Sequence, residues 1–155
     1  MYTLIELFNL FCAGILAGIE VAVHYAFQPS ILKMEERQQV YLRQGLIRKL
    51  RWMVPAFFVP MALSGIAITI IPGTQPALYF HLASILAIIV WILIRIVGTV
   101  PVNSATIEWN PDSPPKDWKE QIAKVERFHI LGTWAAILAF IFFLAAFAVS
   151  MQSHF

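Results

Sequence analysis

Residues 77–100 read ALYFHLASILAIIVWILIRIVGTV, a run of 24 in which Arg95 is the only formal charge and His81 the only imidazole. A helix rising 1.5 Å per residue needs about 20 apolar residues to cross roughly 30 Å of hydrocarbon. Buried strands can be as apolar but not as long, so the stretch reads as a membrane-crossing helix.

Working outward, three further runs meet the same length: residues 4–27, 52–71 and 130–149. Proline, which has no N–H for the ladder, is expected to close the first span at Pro29 and the third at Pro101, with Pro72 and Gly73 ending the second. Composition agrees, with 59% hydrophobic and only 13% charged residues, about half the charge of a soluble domain. At 155 residues the chain suits one domain. The expected fold is all-α, an integral membrane four-helix bundle over residues 1–155, with a helical cytoplasmic extension before span two at 35–51. On that extension Gln44, Arg48 and Arg51 share a face.

Charge fixes the expected orientation. Lys33, Arg37, Arg43, Arg48, Lys49 and Arg51 lie between spans one and two, and Lys116, Lys119, Lys124 and Arg127 between spans three and four. The segment before span one, the short turn 72–76 and the tail after Val149 carry no lysine or arginine. The positive-inside rule then puts both long connections in the cytoplasm and both termini on the other side of a plasma or inner membrane. Basic residues beside spans, in a chain of net charge +2, suit lipid headgroups as partner and exclude nucleic acid. The first run has Glu6 and no basic flank, and is longer than a signal core, so it reads as a retained span. Cys12 alone forms no intrachain disulfide and reads as a small buried hydrophobe.

The spans hold few ionisable groups: Glu20, His24 and Arg95, with His129 at the start of span four. A charge in hydrocarbon costs about 2.5–3.5 kcal/mol even on insertion scales, so each needs a partner or a purpose. Glu20 and His24 are four apart on one helical face; Ser84, Ile88, Trp91, Arg95 and Gly98 form a second stripe, and His129, Gly132, Thr133 and Ala136 a third. At 1.5 Å per residue, Glu20, Arg95 and His24 lie roughly 13, 9 and 7 Å from the cytoplasmic ends, close enough to meet. His81 and His154 lie toward the opposite side. Pro55 and Pro60 kink span two, either as packing irregularity or around a cavity. The run 110–115 is a turn, followed by a polar helix capped by Asp117.

Several readings of this cluster stand side by side. Glu20 and Arg95 pair to fix helix register; or Glu20 and His24 act as base or ligand in a pocket where Arg95 and Arg48 hold an anionic oxygen. Glu20, His24 and His129 supply a two-histidine, one-carboxylate metal set, and the two histidines could be axial ligands of haem. Trp91, Trp109, Trp118, Trp134 and Trp52 line an entrance for a flat hydrophobic substrate or anchor the interface. Gly14 and Gly18 give a small-xxx-small face for a second copy or a membrane partner.

The order of short motifs, Ala17-Gly18-Ile19-Glu20, Gln28-Pro29-Ser30-Ile31, Val100-Pro101-Val102-Asn103, Trp118 and Phe128-His129, resembles the anthrone-oxygenase-like family of small four-span membrane proteins across nearly the whole chain. The resemblance puts Glu20, Pro29, Asn103, Trp118 and His129 at motif positions. It implies oxidation of an anthrone to an anthraquinone with molecular oxygen. The chain departs from the pattern at Gln28, Thr99 and Gly132, where histidine, asparagine and arginine often stand. The expected function is a membrane-embedded oxidoreductase acting on a flat phenol- or quinol-like compound through Glu20, His24, Arg95, Asn103 and His129, with Arg48, Arg51 and the tryptophans binding substrate. The alternatives are a haem- or metal-binding membrane protein and a non-catalytic accessory subunit.

Overall fold

The computed structural model describes residues 2–70 and 75–152. Ile71, at the expected end of span two, the turn residues Pro72 and Gly73, and His154 lie outside the described residues. The helices are α1 (Tyr2–Val21), α2 (Gln28–Ile31), α3 (Glu36–Ile70), α4 (Gln75–Ile94), α5 (Val100–Glu108) and α6 (Trp118–Gln152). They make four continuous rods, Tyr2–Ile31, Glu36–Ile70, Ala77–Glu108 and Trp118–Gln152, each long and apolar enough to cross a membrane.

Two of the expected stops do not stop their helices. A wider π-helical turn, Ala22–Phe27, joins α1 to α2, and another, Arg95–Thr99, joins α4 to α5. Pro29 and Pro101 each stand just after one of these turns. Proline has no N–H for the carbonyl four residues back, and a turn closing i→i+5 absorbs the mismatch without ending the rod. Pro55 and Pro60 likewise lie inside the unbroken α3.

Successive rods run in opposite directions, with α6 packed along α4 and α1, and α1 along α3; α3 and α4 touch only sparsely. The central layer contains Cys12, Leu16, Met61, Ile88 and Phe143. Ala135, Ala136 and Ala139 in the same layer let neighbouring helices come close to α6. Large side chains such as Leu63, Leu86 and Leu131 face outward, the arrangement lipid requires.

Lysine and arginine concentrate at one end of the bundle, the basic end. There α3, α5 and α6 extend past the apolar runs around a small core of Val40, Trp109, Trp118 and Ile122. Asn110 forms the turn, its side chain accepting from Asp112 N at 3.0 Å. Asp117 stands before α6, but its carboxylate accepts from the Gln121 amide at 2.9 Å. The Gln44 amide nitrogen lies within donating distance of three carbonyls at the end of α5: Thr106 at 3.0 Å, Ile107 at 3.3 Å and Trp109 at 2.8 Å. The Thr106 carbonyl also accepts from Trp109 N at 3.3 Å, while Ile107 and Trp109 lie where a helix terminus leaves carbonyls without an intrahelical donor. Gln44→Ala is therefore expected to lower stability by about 1–3 kcal/mol, the cost of buried acceptors without a donor. A thermal melt in detergent reads this as a clear fall in Tm.

Candidate functional site

A cavity of about 600 Å³ lies toward the basic end, and all four rods contribute to its wall. Ile19, Val54, Phe58 and Ile92 give it an apolar lining, into which Glu20, Arg95, His129, Arg43, Glu126 and Asn103 bring the polar groups. Mostly apolar walls with a few convergent polar groups, at a volume within roughly 300–1,000 Å³, are the usual form of a small-molecule site.

Arg95, on the first residue of its π-helical turn, organises one side. Its Nη2 pairs with Glu20 Oε2, and its Nη1 lies 2.9 Å from His129 Nδ1. Its guanidinium carbon is 5.5 Å from the centre of the Trp91 ring, and Trp91 Nε1 donates to Glu20 Oε1 at 3.2 Å. Arginine carries only donors, so His129 Nδ1 must accept and the ring proton sits on Nε2. The guanidinium lies beside Gly132: a Cβ there would sit 3.5 Å from Arg95 Nε and Nη2, an ordinary contact.

A second polar group stands in the same wall. Glu126 Oε1 is 3.5 Å from Arg43 Nη1, and its Oε2 is 3.6 Å from His24 Nδ1. These contacts are longer than those of Glu20, so Glu126 is the less tightly held of the two carboxylates. Comparison with protein-family models, curated proteins and solved structures found no match.

The structure gathers Glu20, Arg95, His129, Trp91, Asn103 and Arg51 around the cavity. His24 is not in its lining and is engaged by Glu126 instead. Glu20, His24 and His129 are not assembled as a metal set: among the described residues no group of three or more His, Cys, Asp or Glu could hold an ion. Trp109 and Trp118 are buried in the small core at the basic end, where their rings pack against Val40 and Ile122. Arg48 is exposed and Trp134 faces outward, 53% exposed; neither lines the cavity. Gly14 packs on Phe140 of the same bundle, and Gly18 has open space beside it.

Glu126 and Arg43 were not among the candidates. The signal for Glu126 is its spacing of three from His129, which puts both on one face of α6. Arg43 sits in a helix with basic residues on several faces and carries no such mark. Another polar group lies at the far end of the bundle, where Ser150 donates to Glu6 Oε1 at 2.9 Å and His81 Nε2 lies 3.4 Å from the same oxygen. One turn further in, the Asn9 amide donates to the Met61 carbonyl at 2.7 Å and to Ser64 at 2.9 Å.

Proposed function

We propose that this protein is a membrane-embedded oxidoreductase of the anthrone-oxygenase-like type, acting on a flat hydrophobic phenol- or quinol-like compound held in the cavity. Its basic end faces the cytoplasm, and the host is a plasma or inner membrane. The observation that carries the reading is the pairing of an apolar cavity of ring-binding size with Arg95, His129 and two carboxylates in its wall.

In this reading His129 offers Nε2–H to the substrate oxygen, and Arg95 stabilises the negative charge that develops there. Glu126, the looser carboxylate, takes a proton from the ring methylene. The resulting carbanion donates electrons to molecular oxygen and a C–O bond forms. Loss of the second methylene proton with cleavage of the O–O bond leaves a carbonyl and releases water. For an anthrone the balance is one O2 consumed, one anthraquinone and one water formed.

The test is oxygen uptake by purified protein in lipid nanodiscs supplied with anthrone. One O2 is expected per anthraquinone, with Glu126→Gln slowing turnover about 10²-fold or more. Unchanged oxygen uptake in both Glu126→Gln and Glu20→Gln would remove the assignment.

A further inference from the structure

The cavity has a mouth, and its position says where a ligand comes from. Some lining residues are also open to the outside. On α3 these are Arg51 and Pro55; on the facing rod they are Ile96, Val100, Ser104 and Glu108. The last four recur at a spacing of four, one helical face, and span about 18 Å at 1.5 Å per residue. They form one lip of a slot between α3 and the stretch Arg95–Glu108, where α3 and α5 touch only sparsely. The slot is polar at Glu108 and Ser104 but apolar at Val100 and Ile96, which are 51% and 57% exposed. Ile96 and Pro55 lie within the apolar runs of their helices, so this end opens to hydrocarbon and not to water. Ile96 directly follows Arg95, so the apolar end is level with the polar group inside.

Charge defines the part of the ligand that enters. Besides His129, whose Nδ1 accepts from Arg95, the ionisable lining consists of Arg43, Arg51 and Arg95 against Glu20, Glu108 and Glu126, three cations and three anions. Arg95 is matched by Glu20 and Arg43 by Glu126. Among the described lining residues the formal charges cancel, with no surplus positive charge for a phosphate, so the interior suits a neutral head that donates and accepts hydrogen bonds.

From the slot and this balance we infer that the ligand is a lipid-resident phenol or quinol with a long alkyl or prenyl tail. It enters sideways from the bilayer between α3 and the turn that leads into α5, its ring at Arg95 and His129 and its tail lying out over Ile96 and Pro55. The inference rests on the reading of the cavity as a phenol or quinol site and adds the tail and the route.

The test uses the full chain in phosphatidylcholine nanodiscs and a long-chain alkylhydroquinone bearing a diazirine midway along the tail. Illumination should label peptides containing Pro55 and Ile96, and excess unlabelled long-chain hydroquinone should displace the label. Ile96→Trp, which fills the slot, should weaken long-chain binding roughly tenfold, as expected for about 1.4 kcal/mol of lost contact, while methylhydroquinone binding holds. Val97→Trp, on a lipid-facing position outside the cavity, should change neither. Labelling away from the slot, labelling that is not displaced, or an equal loss of both ligands in Ile96→Trp overturns the route. Oxygen uptake with tailless anthrone separates the two readings. Turnover without slot labelling leaves the oxidoreductase and removes the tail, whereas displaceable slot labelling without turnover of any quinol does the reverse.

Discussion

Arg95→Ala is expected to destabilise the protein by about 3–5 kcal/mol, the usual cost of leaving one member of a buried ion pair without the other. Glu20 is only 3% exposed, and with Arg95 gone the Trp91 indole is its one remaining hydrogen-bond partner among the described residues. His129 Nδ1 loses its donor in the same step. Oxygen-dependent turnover should fall about 10²–10³-fold, as for removal of one donor to a developing oxyanion. Pairing the change with Glu20→Leu, as Arg95→Met/Glu20→Leu, separates the two effects. Replacing both charges by apolar groups of similar size is often neutral or stabilising, so the double variant should regain most of the lost Tm but none of the activity. A double variant as unstable as Arg95→Ala, or one as active as the wild type, contradicts this account of the site.

Gly98→Ala should also act far beyond its size. A Cβ at this buried position would overlap Phe128 Cγ and sit 2.7 Å from Phe128 Cβ. A ring can swing away from an intruder, but its Cβ is fixed to the backbone, so the turn of α6 that carries Phe128 must itself move. Overpacking of this kind costs about 1–3 kcal/mol. The residue after Phe128 is His129, and a shift of about 1 Å in a positioned group can cost about 10²-fold in rate. Gly18→Ala is the control: nothing lies within 4 Å of its added methyl, and alanine is the better helix former. Its melting temperature should hold or rise, while that of Gly98→Ala falls together with turnover.

The four rods were legible because hydrocarbon permits so few alternatives: an apolar run of this length must satisfy its backbone internally. The meeting of Glu20, Arg95 and His129 was legible for a related reason, since scarce polar groups in separate spans are driven toward one another. His24 shows where the argument stops. On a regular helix it stacks four residues beyond Glu20, but the π-helical turn starting at Ala22 alters that register, and its imidazole meets Glu126 instead. No apolar periodicity announces such a turn; the mark it leaves is the proline just beyond it. Glu126 was hidden by its neighbours, because Lys124-Val125-Glu126-Arg127 reads as a solvated charge run. Trp109 and Trp118 satisfy the pattern for an interface or an entrance equally well, and only packing shows that they hold the extension together.

The apolar layer around Leu16, Met61 and Ile88 lies between Glu6 and Glu20, which are about 21 Å apart along the first rod. Such a layer is costly for a charge to cross. Under the proposed function, protons exchanged with Glu20 and Glu126 would come from and return to the compartment at the basic end, on the other side of this layer from Glu6 and His81. If the cavity carries out the proposed redox chemistry, that chemistry is expected to be scalar: it would move no net charge through the bilayer and neither draw on the membrane potential nor add to it.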